Sequence, residues 1–360
     1  MRFALLAVLL FSITAVAQVD DTPRVAPDIP KDVVWLDEGA PVPHTLREYH
    51  GRVVLIDFWE YTCINCIRDF AVVKRWYSKY HAAGFEVIGV HFGEFAIAHN
   101  VGNVRAAAQR FHIPWPVVDD EKGSAWRVFQ SNVWPNRYLI DAKGNIVLQV
   151  QGEGNNQVME QKIRDLLAKQ HPEVKQIGLD PDEAAFAPQC GVPTQETYVG
   201  DWFGRGALQQ HHKKNEVTDF TVDKPPRDGG VLLSGRWIVR QEGSTSAQQQ
   251  QSSGGFEEAK AGLKYHARSL YAVLSVDDPR RPVRAYILQD GKPLTQAEAG
   301  RDVRFDDLDS YVEVSTPRMY YLIKNSAFTQ HTILLRPQGP GFTIHSFTYG
   351  NNCQQDFDPL

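Results

Sequence analysis

The chain has 360 residues, enough for about two domains. Its 42% hydrophobic and 22% charged residues are globular values that exclude a disordered or fibrous chain. With 38 basic against 43 acidic side chains the net charge is -5, which speaks against nucleic acid as a partner, and four cysteines are too few for a disulfide scaffold.

Arg2, the apolar run from Phe3 to Val16 and the small residues Ala15 and Ala17 predict a secretory signal peptide over 1–17. That run is short for a membrane span, and no later stretch holds ~18 apolar residues. The mature chain is therefore expected to be exported, periplasmic and soluble, in a compartment that permits disulfides. Residues 18–34, with Pro23, Pro27 and Pro30, read as a tether.

From 35 to 172 the pattern alternates between strands and helices. Val53–Trp59 is a continuous apolar run of strand length. Cys66, Phe70, Val73, Tyr77 and Tyr80 then fall on one helical face, which Gly84 ends. Glu86–Phe92 predicts a second buried strand, Val104–Phe111 a second helix, Pro116–Asp120 a short strand and Ala125–Gln130 a short helix. Arg137–Asp141 and Asn145–Val150 predict a hairpin across Gly144, followed by a helix over Asn155–Gln170. This is a layered α/β domain with a mixed sheet.

Residues 173–190, rich in proline and acidic side chains, read as a linker. Over 191–360 short alternating runs recur at 230–239, 269–276, 283–289, 318–324, 331–336 and 342–349, separated by turn formers. That texture predicts an antiparallel β-sandwich. Gly243–Gly255, with four successive glutamines, reads as a loop.

The chemistry concentrates at Cys63 and Cys66, where a buried strand turns into a helix. Three residues are close to one helical turn, so the sulfurs approach disulfide distance. The helix N-terminus favours a thiolate at Cys63, the expected nucleophile, and leaves Cys66 as the resolving thiol. A zinc site needs a second ligand pair, and none stands near the motif. A c-type haem needs His at position 67, where Ile67 stands. A static clip across so short a loop restrains little chain entropy. Glu60 is expected to set negative charge beside Cys63 and to oppose the thiolate.

Asp57-Phe58-Trp59 ahead of Cys63 and Cys66, with Trp134-Pro135 and the hairpin after it, resembles the thioredoxin superfamily over about residues 35–170. The Ile64-Asn65 pair between the cysteines and the segment Gly89–Phe95 are similar to the TlpA/ResA redoxin branch. They are similar above all to the soluble part of DipZ-type proteins, in which a carbohydrate-binding-module-like sandwich follows the thioredoxin unit. The resemblance implies a thiol–disulfide oxidoreductase that holds no cofactor beyond its own Cys63–Cys66 pair. It implies Pro135 as a cis-proline and Trp59, Trp134 and Glu94 as the substrate groove. Asp57 becomes the proton acceptor for Cys66, with a static buried hydrogen bond as its other reading. Glu94 either tunes the thiols or is a plain surface carboxylate.

Clients are then disulfide- or thiol-bearing proteins, cytochrome c precursors among them. Because DipZ-type proteins carry a membrane electron-transporting domain in front, a separate membrane donor is expected for a reductase. Cys190 and Cys353 either pair, at a gain of about 4–5 kcal/mol in the chain-entropy model, or stay free. Trp202, Trp237, Tyr271, Tyr286 and Tyr320 either stack on a glycan or form core. A binding module with a passive Cys63–Cys66 pair is the alternative to the enzyme.

Overall fold

A computed structural model describes residues 18–36, 44–181, 190–201, 207–249, 251–252, 255–256 and 258–350. The expected signal peptide and Trp202 lie outside these residues.

The first domain is built on one mixed sheet. Its strands are β1 (Gln18–Asp20), β2 (Arg24–Val25), β3 (Val34–Trp35), β4 (Val53–Trp59), β5 (Phe85–His91), β6 (Val117–Asp119), β7 (Asn136–Ile140) and β8 (Asn145–Gln151). Between them lie α1 (Ile64–Tyr80), α2 (Val101–Arg110), α3 (Ser124–Val128) and α4 (Asn156–Leu167). The order β1-β8-β7-β4-β5-β6-β3 has parallel pairs only at β4–β5 and β5–β6. Helical crossovers supply those parallel pairs, and a Gly144 turn at φ 85 closes the β7–β8 hairpin. All seven residues of β4 are buried, as are all seven of β5, because layers cover both faces of the central sheet.

Residues 18–34 are not a free tether. β1 and β2 pair antiparallel with β8, and β3 pairs with β6. An uncovered β8 would be a sheet edge with open backbone donors and acceptors, and the N-terminal segment satisfies them. The start of the expected linker is docked too. Val174 is buried, and Asp180 accepts from Arg75 Nε at 2.8 Å and from Lys79 Nζ at 2.6 Å.

The second domain is antiparallel throughout its main sheet. Its strands are β9 (Thr197–Tyr198), β10 (Val217–Phe220), β11 (Val231–Val239), β12 (Ser244–Ser246), β13 (Gln251–Ser252), β14 (Gly255–Phe256), β15 (Lys260–Val276), β16 (Val283–Gln289), β17 (Lys292–Pro293), β18 (Val303–Asp306), β19 (Asp309–Val314), β20 (Arg318–Pro337) and β21 (Phe342–Gly350). β15 pairs with β11 through its first half and with β21 through its second, so the sheet folds over on itself as a sandwich does.

The runs at 318–324 and 331–336, read separately in the sequence, are one strand, β20. Register shifts against β15 between Ala267 and Ser269 and between Leu270 and Tyr271 kink this pair and disguise its continuity. Part of the expected glutamine-rich loop is also strand: Ser244, Thr245 and Ser246 are buried between β11 and β21. Trp237, Tyr271 and Tyr320 are buried, so they are core and not a sugar-stacking surface, while Tyr286 is half-buried. Cys190 is disulfide-bonded, and its expected partner Cys353 lies outside the described residues.

Candidate active site

β4 carries the chain, fully buried, into a short turn, and α1 begins at Cys63. Cys63 is the N-cap of α1, in extended conformation at φ -88 and ψ 109, and its Sγ accepts the Cys66 N–H at 3.3 Å. One turn of helix therefore turns both sulfurs the same way, 2.7 Å apart, inside van der Waals contact and short of the about 2.05 Å bond. Cys63 is half-buried and Cys66 is 1% exposed.

Burial pushes the Cys63 thiol up, the Cys66 donors pull it down, and Glu60 and Glu196 add to the rise. Burial thus acts against the thiolate that the helix N-terminus favours. Burial and the neighbouring Cys63 raise Cys66 further, as suits a resolving thiol held in reserve.

Asp57 lies on β4 directly opposite Arg137 on β7, and cross-strand partners share a face. Its carboxyl is 1% exposed, and Oδ1 makes no hydrogen bond. Burial pushes it up to about 6, against the pull of the Arg137 guanidinium. Arg137, fully buried, donates to Asn156 Oδ1 and to the Gly154 carbonyl, each at 2.6 Å, and lies 3.2 Å from Asp69 on α1. This environment sets a buried carboxyl that titrates close to neutral pH and whose charge raises the Cys66 thiol.

Pro135 is cis and buried, and β7 starts at the next residue. Trp134 is half-buried against the same apolar cluster as Cys63, with its ring 4.5 Å from that of Trp126. Trp59 corrects the sequence reading. It is fully buried, edge-on to Phe70 and His91, and supports the site from below without lining a groove.

The second domain is part of the site. Tyr271 and Val273 of β15 and Met319 and Tyr321 of β20 join one apolar cluster with Cys66, Phe70 and Val73 of the first domain. Tyr271 and Tyr321 stack at 4.5 Å. The Glu242 carboxylate accepts from Ala96 N at 2.6 Å across the boundary. Glu94 is half-buried, not a free surface acid, and accepts the Tyr198 hydroxyl at 2.7 Å, which also reaches Glu196 at 3.2 Å.

Desolvation of the carboxyl, then the Glu94 charge, raises Glu196 to about 7, although the residue as a whole is exposed. Replacing Tyr198 by Phe removes the hydroxyl these two acids share. We expect urea unfolding to show a loss of about 1.5–3 kcal/mol, the range for a hydrogen bond to a charged group. The loss should be larger at pH 8 than at pH 6, because Glu196 is ionised above about 7.

Sequence reasoning missed the burial of Glu60, the whole of His91 and Asp119, and the contribution of Glu196, Tyr198, Tyr271 and Tyr321 from the second domain. The only signal available for the first three was their position at strand ends. Among the described residues no cluster of His, Cys, Asp and Glu is arranged to hold a metal, and no helix is long and apolar enough to cross a membrane.

Residues 26–149 match the AhpC/TSA family, and residues 194–350 match a family described as the thioredoxin like C-terminal domain. Protein DipZ of Mycobacterium bovis and of Mycobacterium tuberculosis are each 32% identical over 333 residues, 90% of this chain and 43% of the relative. The chain thus spans less than half the length of these relatives. Thiol-disulfide oxidoreductase ResA of Geobacillus thermodenitrificans is 27% identical over 34% of this chain and 68% of its own. A solved structure described as thiol:disulfide interchange protein DsbE from Chlorobium tepidum is 28% identical, covers 41% of this chain and 98% of its own, and has a TM-score of 0.35.

Proposed function

We propose, on the premise that this chain belongs to the thioredoxin superfamily as a TlpA/ResA-like redoxin, that it is an exported thiol–disulfide oxidoreductase acting on protein clients. The observation that carries this reading is the Cys63–Cys66 pair, with sulfurs 2.7 Å apart at a helix start and a buried carboxyl on the strand leading into it.

In the reducing direction the Cys63 thiolate attacks one sulfur of a client disulfide. A Cys63–client bond forms and the client's other sulfur leaves, taking up a proton. Cys66 then gives its proton to Asp57 and attacks Cys63 Sγ. The Cys63–Cys66 bond closes and the second client sulfur departs as a thiolate. The client gains two electrons, and a dithiol donor must return them. By the family resemblance, the backbone beside Pro135 is where a strand of the client would dock by main-chain pairing. Cytochrome c precursors, which carry paired thiols, and a separate membrane donor fit this chemistry.

The test is reduction of insulin by the full chain under a dithiol donor. Wild type is expected to precipitate insulin chains, Cys63→Ser to be inactive, and Cys66→Ser to accumulate a stable mixed disulfide with the client. A wild-type protein that leaves insulin intact, with no adduct on Cys66→Ser, overturns the reading.

A further inference from the structure

Three acids and bases outside the mechanism above meet at one end of the parallel strands. Glu60 follows β4, His91 ends β5 and Asp119 ends β6, and these strands are neighbours in the sheet. In register, His91 pairs with Trp59 on one side and Asp119 on the other. The three are 0%, 0% and 1% exposed. Glu60 Oε2 accepts the Thr62 N–H at 2.8 Å and the Thr62 hydroxyl. Its other oxygen, Oε1, makes no hydrogen bond and lies 3.9 Å from His91 Nε2. The opposite nitrogen, Nδ1, lies 3.6 Å from Asp119 Oδ1. Stacked Tyr61 and edge-on Trp59 fix the imidazole between the two acids.

Each nitrogen of His91 thus faces a different acid, so the trio is a chain and not a metal cage. Buried polar atoms without partners are uncommon and ask for a reason.

We infer that Glu60, His91 and Asp119 form a buried proton store coupled to the dithiol, with Glu60 as the member that exchanges its proton when Cys63 changes charge. Through the dithiol's redox cycling this deepens the oxidoreductase reading.

The electrostatics agree with the geometry. Burial pushes Glu60 up to about 8; the Glu94 and Glu196 carboxylates add to the rise, and the Thr62 donors oppose it. Burial lowers His91 against the pull of Asp119, with His99 facing it from the turn before α2. Glu60 is therefore mostly neutral at pH 7 and does not set a full negative charge beside Cys63, as the sequence suggested. Glu60 stands three residues before Cys63, whose N–H donates to the Glu60 carbonyl at 3.2 Å, and an ionised Glu60 raises the Cys63 thiol, so each opposes ionisation of the other. When a dithiol donor reduces the Cys63–Cys66 bond, two electrons and two protons arrive. One proton binds Cys66 and the second binds Cys63, since Glu60 already holds its own; as pH rises past about 8 one proton leaves, and the one still held is shared between Cys63 Sγ and the Glu60 carboxyl.

The test is the rate of Cys63 alkylation by iodoacetamide from pH 6 to 10, which needs no client. Wild type is expected to give a drawn-out, two-step profile, because Glu60 ionises within it. Glu60→Gln is expected to give a single step with its midpoint about one unit lower, hence up to tenfold faster alkylation at pH 8. A purely structural role would scale the rates without changing the shape.

The second measurement is the infrared difference between reduced and oxidised protein. A protonated-carboxyl band is expected to persist in Asp57→Asn and to vanish in Glu60→Gln. Superimposable alkylation profiles, or a band lost in Asp57→Asn, overturn the proposal. If Glu60→Gln fails to fold, the Asp57→Asn spectrum alone still overturns the proposal where its band is lost. Intact insulin with the predicted profiles would remove the oxidoreductase reading and leave the proton store standing.

Discussion

Replacing Asp57 by Asn is expected to slow resolution of the Cys63–client mixed disulfide by about 10²–10⁴-fold above pH 6, the range for a positioned proton acceptor. The wild-type rate should rise as pH passes through about 6, where Asp57 loses its proton, and the Asn variant should lack that limb. Stopped-flow release of client thiol from the preformed adduct measures both.

The same substitution should affect stability in the opposite sense. The folded carboxyl holds its proton to about 6 against an ordinary 3.8, so between these values the native state binds more protons than the unfolded one. Stability therefore falls as pH rises across that window, and the deficit persists above it. The Asn variant should be more stable than wild type at pH 8, on the order of 1–3 kcal/mol, and lose this advantage below pH 4. A variant that is less stable at pH 8 and still resolves at the wild-type rate contradicts the role assigned to Asp57.

Arg137→Met is expected to lower the unfolding free energy by about 3–5 kcal/mol, because it strands buried Asp69 and Asp57 without their cation. The Asn156 and Gly154 oxygens lose their donor as well. Lysine should not rescue it, since a single ammonium cannot reproduce the fork that reaches Asn156, Gly154 and Asp69 together. The limb of the resolution profile near pH 6 should move to higher pH, since Arg137 alone opposes the effect of burial on Asp57. Urea unfolding checks the first expectation and the adduct kinetics the second. A loss below about 1 kcal/mol would show that the guanidinium is dispensable to the core.

These two residues also mark how far the sequence could be read. The apolar run of β4, the face Cys66-Phe70-Val73 of α1 and the hairpin after Pro135 are local patterns, and each forms where its periodicity predicts. Asp57 was legible through the resemblance of Asp57-Phe58-Trp59 ahead of the cysteines to the thioredoxin superfamily. Arg137 was not, since its significance comes from facing Asp57 across β7, a pairing of residues 80 apart in the chain. The pairing of residues 18–25 with β8 was hidden by their polar texture, which an edge strand tolerates.

Trp59 was read as part of the substrate groove and Glu60 as a charge beside Cys63, yet both are buried, and the turn between β4 and α1 is tied to the segment after β5 by Phe92 N–H to the Trp59 carbonyl and by the Tyr61 hydroxyl to the Ile97 carbonyl. That Tyr271 and Tyr321 join the apolar cluster of the first domain follows from the docking of two domains, which no local pattern encodes. The covering also narrows the expected clients. A half-buried Cys63 beside a folded sheet favours an extended, flexible client segment over a flat protein surface.

The most direct test of the central claim is the redox equilibrium of the intact chain in buffers of reduced and oxidised dithiothreitol, read by mass after alkylation. The account predicts that Cys63 and Cys66 gain their labels together, in one two-electron step, while the Cys190 disulfide stays closed. Labels that appear on Cys63 and Cys66 at every ratio, with no oxidised form, would contradict it.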